Sequence, residues 1–558
     1  MKILYFLLSL VLLFGACTPT HRTVPIVERT PGVSPGSIEI LKAEDTRNPH
    51  ALLQMAASLN FDRPELAARL AMASGRIPSF ETWKLLAAQF GNDEKVAAAL
   101  AVSARFPDTG FPASEVTGIL LTLPPSRQVA VTLVGLDTRD SFLAAMGMKS
   151  HHQALAGNLW RAKTQVTEQI LRDFYKRFPR ESVVSIARLK ARDILNPEEL
   201  SRMPWQQRQM GCAICGDPER FLSDPAWQVR LAALDAAGTA SSIVSLLRDP
   251  SDLVRQEALR AMLRLSPQWK PADIYSLTPR EAEILAATPG IQEETVSQLF
   301  NRGGIYAEVT APFMPKSSAA RVLASPLSVR ARLRFLARAM GENRAINEAL
   351  EYFHSKGSAY ALEYLLNRES GVDRKSLAAV ARKKGGFTSV LADCGFPPSP
   401  QDIPEPVDYP RAIEDLVAFR GFRIHTAKGK MECRFFKDQA PLTCANFIDL
   451  ARKGYFNGIV IHRVVPGFVT QDGDPSGSGS GGPGYTLRCE YNEIEYDQAG
   501  RIGMALAGKD TGGSQYFITH APTPHLNHRY TIFSQVTSGL DTLSRLCQYD
   551  KVERIELF

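Results

Sequence analysis

Six prolines fall within the fifteen residues from Phe396 to Pro410 (FPPSPQDIPEPVDYP). Proline fixes φ and lacks an amide hydrogen, so neither a helix nor a central strand continues through such a stretch. The run therefore divides the chain into parts that fold on different plans. At about 150 residues per domain, 558 residues allow three or four folded units. Hydrophobic residues at 44% and charged residues at 22% are globular proportions, which excludes a disordered or fibrous chain. The net charge of +7 is not gathered into a basic run, so no nucleic-acid footprint is present. Eight scattered cysteines are too few for a disulfide scaffold.

Ahead of the proline run, residues 48–395 read as helical and alanine-rich. Glu94 to Phe106 and Ser328 to Met340 are good helix formers with amphipathic spacing, and Gly341 stops the second. An internal repeat stands in the middle: Asp224-Pro225-Ala226-Trp227-Gln228-Val229-Arg230 recurs as Asp249-Pro250-Ser251-Asp252-Leu253-Val254-Arg255, 25 residues on. In the pattern D-P-x-x-x-V-R-x-x-A-L, Asp suits a helix N-cap and Pro the first helical position. Val254, Ala258, Ala261, Met262 and Leu265 then form one apolar stripe. Ser325-Pro326-Leu327-Ser328-Val329-Arg330 reads as a degenerate third copy. The pair resembles HEAT-like repeats, which implies an all-α solenoid of stacked hairpins. An irregular helical domain with one duplicated hairpin is the competing reading.

At the N-terminus, Lys2 precedes twelve mostly apolar residues, Ile3 to Phe14, and then Gly15-Ala16-Cys17. Twelve residues are too short to span a bilayer and suit a signal-peptide core. Small residues before a cysteine resemble the lipobox of bacterial lipoproteins. The resemblance implies a signal peptide at 1–16, lipid attachment at Cys17 and an outer-membrane anchor facing the periplasm. An ordinary secretory signal is the alternative. Residues 17–47, with Pro19, Pro25, Pro31 and Pro35, read as a tether.

Beyond a linker at 396–416, residues 417–558 change character. Alternating segments at Phe422–Ala427 and Lys430–Phe436 read as strands. An amphipathic helix follows from Ala440 to Lys453, ended by Gly454. Then come IHRVVPGFVTQDGD (Ile461 to Asp474), MALA (Met504 to Ala507), GGSQYFIT (Gly512 to Thr519) and PHLNHRYTIF (Pro524 to Phe533). These blocks, in this order, resemble the cyclophilin family of peptidyl-prolyl cis-trans isomerases. The resemblance implies a closed antiparallel β-barrel with two capping helices. It also implies proline-containing polypeptides as substrates and no cofactor or metal.

The same resemblance assigns Arg463 as the catalytic arginine, with Gln471 and Phe468 beside it. Phe468, Val469, Phe517 and Leu526 are the expected proline slot, with His525 and Tyr530 at its rim. Ala505, Leu506, Ala507 and Gln515 are the expected adjoining subsite, with the Leu506 main chain pairing with substrate. His525 stands where the best-known members carry tryptophan, Tyr530 where they carry histidine, and Val469 replaces a commoner methionine. The expected function is X-Pro isomerisation in exported proteins of the bacterial envelope, with the helical region binding clients or a protein partner. A proline-peptide-binding module without turnover is the alternative. Of the remaining motifs, the Gly-rich Ser476–Gly484 does not complete a nucleotide loop, and Cys212-Ala213-Ile214-Cys215 reads as a local disulfide or two thiols.

Overall fold

A computed structural model describes residues 35–396 and 409–558, apart from 61–62, 108, 163, 193, 368–371, 386, 388–389 and 392–393. The expected signal segment, Cys17 and most of the proline-rich linker lie outside the described residues.

Helices run from Pro35 to Lys384 and strands dominate from Gly421 onward. The centre of the helical region explains why the D-P-x-x-x-V-R pattern repeats. Arg230 donates from Nε and Nη2 to the two carboxylate oxygens of Asp249 (2.7 and 2.8 Å), and from Nη1 to the Asp224 carbonyl (2.7 Å). Arg208 grips Asp224 in the same bidentate way (2.6 and 2.7 Å), and Arg255 donates to the Asp249 carbonyl (2.8 Å). Arg230 and Arg255 thus bind the Asp main chain of their own copies, while each Asp carboxylate belongs to an arginine earlier in the chain. This ladder corrects the capping role expected for the aspartates. The helix Asp252–Leu265 is capped by Ser251, whose Oγ accepts from the Val254 amide, while Asp249 accepts from the Ser251 amide (2.8 Å). Trp227–Leu234 begins after Ala226 with no side-chain cap. The expected stripe holds, with Val254, Ala258, Ala261 and Met262 buried and Leu265 half-buried.

Caps also shift the register of the third copy. Ser328 caps the helix Val329–Met340 as Ser251 caps its own. Counting from each cap, Arg332 rather than Arg330 matches Arg255. Arg332 accordingly donates to a main-chain carbonyl, that of Leu323 (2.8 Å), and to Glu348 (2.5 Å).

The strands are β1 (Gly421–Thr426), β2 (Gly429–Phe435), β3 (Arg463–Val465), β4 (Val469–Asp472), β5 (Arg501–Met504), β6 (Tyr516–Thr519), β7 (Ile532–Ser538) and β8 (Val552–Leu557). They form one curled antiparallel sheet in the order β3-β4-β6-β5-β7-β2-β1-β8. Its end strands are linked just outside their ladders: Gly458 donates to Val552 (2.7 Å), Ile461 to Asp550 (2.8 Å) and Tyr549 to Ile461 (2.9 Å). The helix Pro441–Arg452 closes over the sheet, with Phe447 among the rings of Phe422, Phe456 and Phe533 at 4.5–5.3 Å. Glu490 satisfies the first amides of that helix, accepting from Leu442 (3.2 Å) and Thr443 (2.8 Å).

Two expected connectors are partly helical. The tether ends in a helix, Pro35–Asp45, with Ile40, Leu41 and Ala43 buried; the linker ends in another, Tyr409–Ala418, with Leu416 in the sheet's core cluster. Both helices carry proline in the first turn, where its missing amide hydrogen costs no helical bond.

The described residues from Pro35 onward form one compact unit, because the helices pack against the sheet. Arg488 pairs with Glu44 (2.9 Å) and Asp45 (2.6 Å), and Arg76 pairs with Glu44 (2.9 Å) and donates to the Tyr491 carbonyl (2.9 Å). Further along, Phe106 meets Tyr491 and His528, Arg127 pairs with Glu495, and Trp227 lies edge-on to His520. Leu253 enters the sheet's own core, Lys428 pairs with Asp252 (2.6 Å), and Tyr549 donates to Glu283 (2.8 Å). Cys212, Cys215, Cys433, Cys444, Cys489 and Cys547 are buried free thiols; Cys215 donates to the Cys212 carbonyl (3.2 Å).

The ladder has a measurable consequence. Asp249 is 5% exposed, so Asp249→Ala strands the Arg230 guanidinium and is expected to cost about 3–5 kcal/mol. Arg202→Ala, in an exposed pair with Glu198, is expected to leave the urea midpoint unchanged. Equal midpoint losses in the two variants would remove the ladder from this account.

Candidate functional site

Alternation along the strands decides which residues face the core and which face outward. Arg463 in β3 lies directly opposite Gln471 in β4, and Gln471 opposite Phe517 in β6. Directly opposed residues point to one face, and residues two apart on a strand share it. Arg463, Val469, Gln471 and Phe517 therefore stand on the outer face. Their neighbours Val464, Tyr516 and Ile518 point inward, where they join the core with Ile502 and Phe533.

On the outer face the polar groups form a chain. Arg463, exposed, donates from Nη1 to Gln471 Oε1 (3.1 Å). Gln471 Nε2 donates to Gln515 Oε1 (3.0 Å), and Gln515 Nε2 donates to the carbonyls of Gly479 and Gly481 (2.8 Å each). Every amide group in the chain is thereby given a direction, and the guanidinium is held from one side with its remaining N–H groups free to reach outward.

Beside it lies an apolar cluster of Val469, Tyr496, Phe517, Leu526 and Ile532, with Phe468, Ala505 and Tyr530 packed against it. His525 stacks on Phe468 (centroids 5.4 Å, planes 23° apart), and Tyr530 meets Phe517 edge-on (5.5 Å, 88°). Two of the three residues that depart from the resembled family, His525 and Tyr530, thus form the rim. Burial, with Arg188 and Arg529 nearby, lowers the His525 pKa, so the ring is neutral at neutral pH. His462, next to Arg463, is 5% exposed, and burial pulls it down to about 4. The three histidines of the 520–528 segment diverge: His520 bonds Thr470 (2.8 Å), His528 bonds the Asn492 carbonyl (3.0 Å), and His525 stays at the rim.

A second, smaller cavity of about 70 Å³ adjoins, bordered by Gln471, Ala505, Leu506, Ala507 and Gln515 together with Gly479, Gly481 and Thr511. Ala505 donates to the Gln515 carbonyl (2.9 Å) and Ala507 to Thr511 Oγ1 (2.8 Å). Among the described residues the Leu506 main chain makes no hydrogen bond, leaving it open to an extended peptide. Its side chain turns instead toward Val102 and Phe106 of the helical region.

All twelve described residues singled out in the sequence thus come to one side of the sheet; Cys17 lies outside the described residues. Sequence reasoning missed Tyr496, Ile532 and Gly503. Gly503 sits opposite Phe517 in β5, and a Cβ there would lie 2.5 Å from Phe517 Cζ and 2.1 Å from Tyr496 Oη. A glycine inside a strand was the available signal, since it marks close approach. Gly503→Ala is expected to push the Phe517 ring into the slot, lowering affinity for proline peptides by about tenfold or more while the fold survives. Titration by exchange NMR checks it, and unchanged affinity would detach Phe517 from the binding surface.

Sequence comparison relates the strand-rich part of the chain to known proteins. Residues 421–556 match the family profile described as "Cyclophilin type peptidyl-prolyl cis-trans isomerase/CLD". The chain is 47% identical over 129 residues to peptidyl-prolyl cis-trans isomerase B of Bacillus subtilis, covering 23% of this chain and 90% of that one. It is 41% identical over 146 residues to a peptidyl-prolyl cis-trans isomerase of Helicobacter pylori, covering 25% and 89%. A crystal structure of a cyclophilin-type isomerase from Cryptosporidium parvum is 34% identical, spanning 25% of this chain and 98% of that one with a TM-score of 0.24. Through its strand-rich part, the chain belongs to the cyclophilin-type peptidyl-prolyl cis-trans isomerases.

Proposed function

We propose that the chain accelerates rotation about X-Pro bonds, with Arg463 as the catalytic residue. The observation that carries this reading is the row Arg463–Gln471–Phe517 across three strands, a guanidinium held next to an apolar slot. Resonance gives the peptide bond a rotational barrier of about 18–20 kcal/mol. As the bond twists, the prolyl nitrogen loses conjugation and gains a lone pair. A guanidinium aimed at that nitrogen stabilises the twisted state more than the planar one, which is the condition for catalysis. Phe468, Val469, Phe517 and Leu526 take the ring, Gln471 orients Arg463 and meets the substrate carbonyl, and the Leu506 main chain aligns the peptide. Each step moves charge density within the substrate, so no nucleophile or covalent intermediate enters. Closure of the curled sheet into a barrel across the 458–461/549–552 seam, and a HEAT-like lineage for the helices, belong to the same reading.

The expected outcome is a fall in kcat/KM of about 10²–10³ for Arg463→Ala in a protease-coupled assay on the full chain. Arg463→Lys is expected to recover little of it, because an ammonium lacks the planar fork. Equal rates for wild type and Arg463→Ala would reject the assignment. The rim of His525 and Tyr530 favours a second reading, a module that binds proline segments without turnover; saturable binding with no rate enhancement in exchange NMR would select it.

For location, we propose a lipid anchor at Cys17 in the bacterial envelope, with exported proteins as clients of the isomerase and the helices as their docking platform. Gly15-Ala16-Cys17 after a short apolar run supports it. Cys17→Ser is expected to abolish metabolic labelling with palmitate and release the chain from the membrane fraction. Undiminished labelling would reject the anchor.

A further inference from the structure

The loop 474–484 divides two cavities. On its sheet side, Gly479 and Gly481 receive Gln515, and Gly479, Gly481 and Gly482 border the 70 Å³ subsite next to Gln471. On its other side, Ser476, Ser478, Gly481 and Gly482 border a cavity of about 710 Å³. The far wall of that larger cavity is helical and includes Ser328, Arg330 and Tyr360. Gly481 and Gly482 belong to both linings, so the subsite and the larger cavity meet at the loop's edge.

That loop is a fixed partition. Asp474, fully buried, accepts from the amides of Ser476 (2.7 Å), Ser478 (3.0 Å) and Gly479 (2.6 Å), and from both serine hydroxyls. From the helical side, Ser480 Oγ donates to Glu363. Held on both faces, the loop presents its glycine main chain to whatever lies along it.

The charges on the cavity wall are unevenly spent. Asp474 is consumed by the loop, and Glu308 accepts from the amide and hydroxyl of Ser328 (2.5 and 2.8 Å). Arg334 lies 3.5 Å from Glu283. Arg330 makes no hydrogen bond or ion pair among the described residues, although it is half-buried. The register shift in the third repeat copy accounts for this: Arg332 takes the structural partners, and Arg330 turns its charge toward the cavity and the neighbourhood of His462. A half-buried cation with no carboxylate is incomplete until an anion reaches it.

We propose that the larger cavity extends the substrate groove, taking up the client chain on one flank of its proline, and that Arg330 selects acidic side chains there. The proposal rests on the proline slot assigned above and goes beyond it by making a helical residue a specificity determinant.

The test uses the full chain and exchange NMR on peptides sharing a central Ala-Pro. One is a tetrapeptide; the others are extended by about six residues before or after the proline, with acidic or basic side chains. In one of the extended series, kcat/KM for the acidic peptide is expected to exceed that for the basic one by about three- to tenfold, through KM, with the gap closing near 1 M salt. Arg330→Glu is expected to reverse the order, and Arg330→Lys to retain it. Equal kcat/KM for acidic and basic peptides in both series, while the tetrapeptide turns over, overturns the extension. A preference that survives Arg330→Glu also overturns it. Failure to turn over the tetrapeptide, or turnover indifferent to Arg463→Ala, strikes the proline slot instead.

Discussion

Register across β3, β4 and β6 is the constraint on which the site depends. A strand has two faces and a period of two, so a slip of one residue exchanges everything that faces in for everything that faces out. In this sheet the exchange would bury Arg463 and Gln471 and expose Val464, Tyr516 and Ile518. The apolar inner residues therefore protect the outer geometry. Any drift of Gln471 away from Arg463 requires pulling Thr470 and Asp472, both buried, out of their places. The precision of the guanidinium comes less from its own hydrogen bond than from the packing one residue to either side.

A second layer of support comes from the helices. The loop that receives Gln515 is itself tied to Glu363 of the helix Ala359–Leu366. Leu506 turns its side chain toward Val102 and Phe106, and Trp227 covers His520 at the back of β4. Each wall of the candidate site thus has a helical residue behind it, from helices distant in sequence. The arrangement joins the two halves of the chain mechanically, and Arg188 of the helix Pro179–Leu189 reaches the neighbourhood of His525 at the rim of the slot.

Much of the site was legible because its residues sit in short contiguous blocks. Arg463, Phe468 and Gln471 lie within nine positions, and the alternation between them is visible in the letters alone. What escaped was whatever depends on partners far along the chain. Asp224 and Asp249 follow every local rule for a helix cap, yet Arg208 and Arg230 claim their carboxylates first. Gly503 owes its identity to the Phe517 ring on the next strand, and Arg488 to Glu44, more than four hundred residues earlier. Proline misled in the opposite direction. Pro35, expected in a tether, and Pro410, expected to break helix and strand, each stand instead in the first turn of a helix, since the same missing hydrogen that ends one helix is harmless at the start of another.

The grip of the helices on the sheet has an architectural meaning. Glu44, Arg76, Phe106, Arg127, Trp227, Asp252, Glu283 and Glu363 touch the strand-rich part in turn along the helical region. Each of these helices is therefore held by the sheet as well as by its neighbours in sequence, so a disturbance between two adjacent helices is resisted along a second route. The strand-rich part is thereby also a load carrier for the helices that lean on it.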